Sequence, residues 1–505
     1  MAEPPRTTAL SRLCWLLLPT VLALCVCELA LALLGLGAAE QQVGRGFSRD
    51  VSYLLPDPQR AGAWRTQMFQ GEEPEISIAP KGDARRVVLF GGSNTARFPG
   101  GNLRQFLDAA GPDRWEVVNL GRSGYGSARV LVLFEQALAL EPDLVVIYSG
   151  HNEFVELGFE MQIEREWGAL ERPLVTAASK LRTFHALVAA FETGATAPAG
   201  RSPVAPERSA FEHDKFRSFQ YAQTLRRLQA YEANLDRMCA LAHERGVPVL
   251  LGTLFSNDLS APFVSNIDPA LGAEARRLAI EGLMRVHAAW PARWKEILPR
   301  EPPVVLNLGD WEFGDGSGGA APALRALPEP LAARGPLWAD PSKWRARTHE
   351  LMSAWARFHA GPTPDEREAL PKLASELEGV LARVPDHPLA HYLLGLCRLA
   401  SGEPERARES LELAARYDRA PLKASSLTNE IVRRVAGRHP GVALFDFDEL
   451  VRARSPDRIV GFELMQDHCH AHADTYLMLM RDLAEIIARE WAASSGARAA
   501  AGGRR

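Results

Sequence analysis

Residues 87–95 read Val-Val-Leu-Phe-Gly-Gly-Ser-Asn-Thr, and this stretch decides the fold. Four consecutive apolar residues, Val87 to Phe90, suit a strand buried on both faces, the pattern of a parallel sheet covered by helices. Gly91-Gly92 end the run in a tight turn, and a helix is expected after it. Working outward, Glu116 to Leu120 is a second run that stops at Gly121, and Asp143 to Tyr148 a third that stops at Ser149-Gly150. The segment Ala128 to Leu140 lies between them with a helical pattern. Val247 to Thr253 gives a fourth run behind an amphipathic helix near Tyr221 to Glu244, and Val442 to Asp446 a fifth behind Thr428 to Arg438. Strands alternating with helices at these spacings predict an α/β fold of three layers, α/β/α, around a parallel sheet. Ligands of such sheets gather at the carboxyl ends of the strands, where the glycine-containing turns lie.

The 505 residues, 47% hydrophobic and 24% charged, hold enough core-forming material for two or three domains and exclude disorder of the whole chain. Fifty-eight Lys+Arg against sixty-two Asp+Glu leave a net charge of −4, so no positive field favours nucleic acid. A mean hydropathy of −0.13 excludes a polytopic membrane protein. Cys14, Cys25 and Cys27 share one apolar segment, and Cys239, Cys397 and Cys469 are far apart. Neither a disulfide scaffold nor a zinc ribbon can be built from them.

That apolar segment, residues 13–37, has about the length a bilayer core demands and is interrupted only by Pro19 and Glu28. Arg6 and Arg12 precede it, which predicts a membrane anchor with residues 1–12 cytoplasmic and the rest extracytoplasmic, periplasmic or extracellular. The rival is a signal peptide cleaved near residues 36–39, giving a secreted protein, and a third reading is a buried core helix. A polar connector is expected over 38–80, and the first part of the α/β core over 81–363, with loop-like stretches at 195–210 and 313–336. Over 364–424 the composition turns helical. Leu394, Gly395, Gly402, Ala407, Leu411 and Ala414 stand at the spacing of one tetratricopeptide unit. One such unit cannot bury its apolar face alone, so it is expected to dock on the core or on helices such as 371–383, or else to bind a protein partner. The core resumes over 425–492 with a C-terminal helix at 474–491, and 493–505 reads as a disordered tail.

Three strand ends carry groups suited to chemistry. Ser93 follows a buried strand with its amide near a helix start, where an anion is favoured, although capping that helix would use the same residue. Gly121-Arg122-Ser123-Gly124-Tyr125-Gly126 lets backbone amides approach a ligand, as a plain turn also would, and is neither a dinucleotide fingerprint nor a phosphate loop. Asn152, in Gly150-His151-Asn152-Glu153, can donate to an oxyanion or cap a turn. A base is needed, and Asp467-His468-Cys469-His470-Ala471-His472 supplies candidates: Asp467 could orient His470 towards Ser93. The competing reading is metal binding, since His468, His470 and His472 would share a face on an extended strand.

In that order, Gly-Gly-Ser93-Asn-Thr, Ser-Gly124-Tyr-Gly, Gly-His-Asn152-Glu and Asp467-His-Cys-His470 resemble the blocks of the SGNH/GDSL hydrolases. The resemblance covers about 81–155 and 425–490. It implies a flavodoxin-like three-layer core with Ser93 as nucleophile, His470 as general base and Asp467 as the third triad member. The Ser93 and Gly124 amides and the Asn152 side chain would form the oxyanion hole, with no metal or cofactor. The chain departs from the family in having Gly92 where an Asp usually precedes the nucleophile. More than three hundred positions also separate Asn152 from Asp467. The expected activity is a serine esterase acting on ester-bearing small molecules, lipids or glycans through an acyl-enzyme. Its alternatives are an O-acyltransferase to an extracytoplasmic polysaccharide and a noncatalytic scaffold using the helical repeat.

Overall fold

The computed structural model describes residues 9–34, 52–66, 75–158, 178, 181–184, 186–187, 221–262, 273–294, 341–418 and 421–502. The loop-like stretches at 195–210 and 313–336 lie outside them. Two compact units divide the chain, one from Met1–Val51 and Phe159–Phe211, the other from Ser52–Gly158 and Glu212–Arg505.

In the first unit, helix α1 (Ala9–Leu33) contains Pro19. The Glu28 carboxylate accepts the backbone N–H groups of Arg182 at 2.9 Å and Thr183 at 2.7 Å. Among the described residues no helix is long and apolar enough to cross a membrane. Of the expected span over 13–37, the segment is helical to Leu33, and 35–37 lie outside the described residues.

The second unit begins with three short antiparallel strands, β1 (Leu54–Pro56), β2 (Trp64–Thr66) and β3 (Ser77–Ile78), within the expected connector. The main sheet follows. Its strands β4 (Arg85–Gly91), β5 (Trp115–Asn119), β6 (Leu144–Tyr148), β7 (Val249–Gly252) and β8 (Val442–Phe445) run in the order β5-β4-β6-β7-β8, all parallel. Val87 to Phe90 are fully buried, as a central strand covered on both faces requires. The chain steps from β4 to β5 and then back past β4 to β6, so the topological switch lies between β4 and β6, where ligands of open α/β sheets bind.

Helices α2 (Ser93–Ala96), α3 (Gly100–Ala110) and α4 (Ser127–Ala137) fill the first crossovers, and α5 (Tyr221–Glu244) precedes β7. Between β7 and β8 come α6 (Ala273–Ala289), α7 (Pro341–His359), α8 (Pro364–Leu381), α9 (Pro388–Ala400), α10 (Pro404–Tyr417) and α11 (Ser426–Arg438). After β8 follow α12 (Phe447–Arg452) and α13 (Ala473–Gly502). One helical layer pairs α3 with α13, and the other pairs α4 and α11 with α5. The last helix continues to Gly502.

The helices between β7 and β8 have an apolar core of their own, built around Trp294, Trp355, Phe358, Leu377, Tyr392 and Leu411. Its members include α6 and α7, so the helical part begins earlier than residue 364. Within it α9 and α10 approach so closely that a Cβ on Gly395 would lie 2.8 Å from Leu411 Cγ. Leu259, Ile459 and Phe462 of the sheet-end loops join the same cluster, and Tyr392 donates its hydroxyl to Leu259 O at 3.0 Å. The helical pair therefore docks on the α/β core.

Candidate active site

Strand β4 delivers Ser93 to the sheet rim. Gly92 occupies the N-cap of α2, and Ser93 opens that helix, whose first N–H groups have no intrahelical acceptor. The Ser93 Oγ lies 2.7 Å from His470 Nε2, across 377 positions of sequence. On the other edge of the ring, His470 Nδ1 lies 2.7 Å from Asp467 Oδ2. A carboxylate can only accept, so Nδ1 carries the proton and Nε2 is left to accept the Ser93 O–H; the tautomer follows from the network.

Asp467 is held by more than the ring. Its Oδ1 accepts the backbone N–H groups of Cys469 at 2.8 Å and His470 at 2.7 Å. Burial works against its ionisation, but the His470 and His468 rings and these hydrogen bonds outweigh that and hold the carboxyl far below the usual range. The loop carrying both residues is closed by an antiparallel bridge between Met465 and Ala471. It is tied to the loop after β7 by Asn257, whose N–H donates to His468 O at 3.0 Å and whose Nδ2 donates to Asp467 O at 3.1 Å.

Gly124 has φ +72°, a left-handed conformation that residues with a Cβ seldom adopt, so glycine is needed for this turn. Asn152, after β6, donates one Nδ2 hydrogen to Tyr125 O at 3.0 Å and keeps the second for another acceptor. Ser93, Asn94, Gly150, His151 and Asn152 line one recess at the switch point. The five residues singled out in the sequence thus separate into a hydrogen-bonded set, Ser93, His470 and Asp467, and two turns, Gly124 and Asn152, on neighbouring strand ends.

The alternating histidines do not form a common face. His470 is committed to Ser93 and Asp467, while His472 Nε2 pairs with Phe462 O at 3.0 Å. A metal would find donors instead at Asp467, Cys469 and His470, whose ligand atoms lie within 4.8 Å of one another. Two of those donors already share the carboxylate–imidazole hydrogen bond.

Sequence reasoning passed over several supports. Lys423 donates to Asn257 O at 2.7 Å and Ser260 O at 2.9 Å, with its ammonium fully enclosed and its pKa pushed down to about 8 by burial. Tyr476 donates to Asn94 Oδ1 and accepts the Ala471 N–H at 3.1 Å, joining the loop that carries Asp467 and His470 to α2. Asn257 was legible in principle, since it follows the fourth strand as Asn152 follows the third.

No family model and no curated protein matches the chain. Among solved structures it is similar to a GDSL-like lipase from Bacteroides thetaiotaomicron, with 18% identity, a TM-score of 0.17 and coverage of 34% of this chain and 51% of that one. It is also similar to a proposed acylhydrolase from Bacteroides fragilis, with 16% identity, a TM-score of 0.19 and coverage of 42% and 65%. The chain thus spans between half and two thirds of the length of these structures. The chemistry of the site rests on its own geometry.

Proposed function

We propose that the protein is a serine hydrolase that cleaves O-acyl esters through a covalent acyl-enzyme. The observation that carries this reading is the unbroken chain Ser93 Oγ, His470 Nε2, His470 Nδ1, Asp467 Oδ2, with both contacts at 2.7 Å. In the first step Ser93 Oγ attacks the ester carbonyl carbon while its proton passes to His470 Nε2. Asp467 remains ionised and stabilises the imidazolium. The negative charge forming on the carbonyl oxygen is met by the Ser93 and Gly124 amides and the second Asn152 N–H, each such donor being worth about 2.7–4 kcal/mol. His470 then returns the proton to the leaving alcohol. Water, deprotonated by the same ring, releases the acid. Export from the cytoplasm is part of the proposal and is supported by Arg6 and Arg12 ahead of the apolar segment.

A serine-directed fluorophosphonate is expected to label the wild-type protein and not Ser93→Ala, and acetyl esters are expected to be hydrolysed by the wild type alone. Equal labelling of both proteins, or of neither, would remove the enzyme. Product that depends on an added glycan acceptor, with negligible hydrolysis, would make it a transferase.

A further inference from the structure

Four charged side chains that the triad does not use meet at the turns bearing Gly124 and Asn152. Glu153 and Glu156 are fully buried, and Arg129 and Arg227 are only 6% and 4% exposed. Two carboxylates face two guanidiniums, so the group is neutral as a whole. Arg227 Nη2 reaches Glu153 Oε2 at 3.0 Å and Glu156 Oε2 at 2.5 Å, and Arg129 Nε reaches Glu156 Oε1 at 2.8 Å.

The backbone at the start of α4 shows what the carboxylates do. The N-cap, Gly126, has no side chain to accept from the first turn. Glu156 instead accepts the N–H groups of Gly126 at 2.8 Å, Ala128 at 3.1 Å and Arg129 at 3.1 Å, and Glu153 accepts that of Ser127 at 2.7 Å. The four N–H groups that a helix leaves without partners are thus all satisfied from the segment that follows Asn152. Arg129 closes the circuit: its Nη2 donates to Gly124 O, and its guanidinium lies 4.4 Å from the Tyr125 ring centre. Asn152 donates to Tyr125 O in the same turn.

Folding stability alone does not call for this arrangement. A serine or aspartate at the N-cap would satisfy the helix at little cost, whereas each buried ion carries a desolvation penalty of several kcal/mol that its partner roughly repays. Burial pushes the Glu153 carboxyl up, while at Glu156 burial is outweighed by the two arginines, which hold it down. What the network supplies is a fixed distance between two turns on different strands.

We infer that Glu156 and Arg129 are positioning residues that hold the Gly124 amide and the Asn152 carboxamide at the spacing one oxyanion requires. This rests on the hydrolase reading above. Neither residue touches the nucleophile; both act through the turns, and a donor displaced by about 1 Å can cost on the order of a hundredfold in rate.

The test uses the full chain, Glu156→Gln, and the pair Arg129→Met with Glu156→Gln, which keeps the buried charge balanced and so guards against simple misfolding. Acetyl-ester turnover is expected to lose at least about tenfold in kcat with KM changed less than about threefold. Amide hydrogen exchange should quicken over 121–130 without quickening across the sheet. A folded, balanced variant with kcat within about twofold of wild type would overturn the inference, as would a loss of turnover matched by global acceleration of exchange. Should the wild type neither turn over esters nor take the fluorophosphonate, the hydrolase reading fails by itself. Exchange over 121–130 then judges the positioning claim alone, and an unchanged rate there overturns it.

Discussion

The Nδ1 of His151 accepts the backbone N–H of Ala424 at 3.1 Å, joining the turn after β6 to the end of the helical segment 273 positions later. With Nδ1 accepting, the ring proton sits on Nε2, 3.3 Å from the Tyr148 hydroxyl. A second proton would set an N–H against an N–H. Burial, helped by the nearby His470 and His468, pushes His151 down to about 3 from an ordinary 6.5. Between those values the unfolded chain binds a proton that the folded chain refuses. Stability is therefore full above pH 6.5 and falls as the pH drops, by about 1.4 kcal/mol per unit from this residue. His387, pushed to about 3 in the same way, adds its own slope. His151→Gln, which keeps an acceptor but gains no proton, is expected to flatten urea-unfolding stability between about pH 6.5 and 4.5, a window above the depressed carboxyls. Identical slopes for variant and wild type would refute this.

Asp467→Asn tests the far end of the relay. The amide has nearly the shape of the carboxylate but offers an NH2 where Oδ2 or Oδ1 accepts, so either the His470 ring turns to the wrong tautomer or the Cys469 and His470 N–H groups lose their acceptor. The expected loss is on the order of ten-thousandfold in kcat near pH 7, with KM little changed. Because the native carboxyl is held far below its ordinary value, no limb of the wild-type pH–rate profile above about pH 3.8 should belong to it. Steady-state kinetics from pH 4 to 9 on both proteins decides, and less than a tenfold loss would show that the carboxylate does not orient the base.

How much of this was legible follows from what each residue needs. The β4 and β6 runs announce themselves because strands buried on both faces are continuously apolar, and Ser93 and Asn152 are read from the turns that end them. For the meeting of His470 with Ser93 the sequence offers only residue types, a hydroxyl at a strand end and an Asp-x-x-His cluster, since no local pattern encodes a contact across 377 positions. That Ala273–Ala289 packs with the helical part is not legible locally, because the contact of Gly282 with Val380 joins positions far apart in the chain. Lys423 gives no signal at all. A lysine among carbonyls is distinguishable from a surface lysine only when Asn257 and Ser260 are in place.

The helical pair offers a packing prediction. Gly395 faces Leu411 with room for a hydrogen and not for a methyl, the hypothetical Cβ lying 2.8 Å from Cγ and 2.9 Å from Cδ2. Gly395→Ala is therefore expected to cost about 1–3 kcal/mol through overpacking, even though alanine is the better helix former. Urea denaturation measures it. A neutral or stabilised variant would mean that α9 and α10 separate without penalty.

Gly92 has ordinary extended dihedrals, φ −85° and ψ −153°, so nothing in its own backbone demands glycine. The requirement comes from its neighbours. A Cβ there would lie 2.4 Å from Asn152 Nδ2 and 2.9 Å from Tyr125 O, directly upon the 3.0 Å hydrogen bond that those two atoms make. The aspartate that the family resemblance leads one to expect at this position has no space while Asn152 keeps its place. Gly92→Ala should push the carboxamide out of line and lower kcat by about a hundredfold to a thousandfold, the size of one lost oxyanion donor. Asn152→Ala removes the same donor outright, so the two changes should not add. Expected in a double-mutant cycle is a combined variant no slower than Asn152→Ala alone within about twofold. Fully additive losses would mean that Gly92 acts on the nucleophile itself.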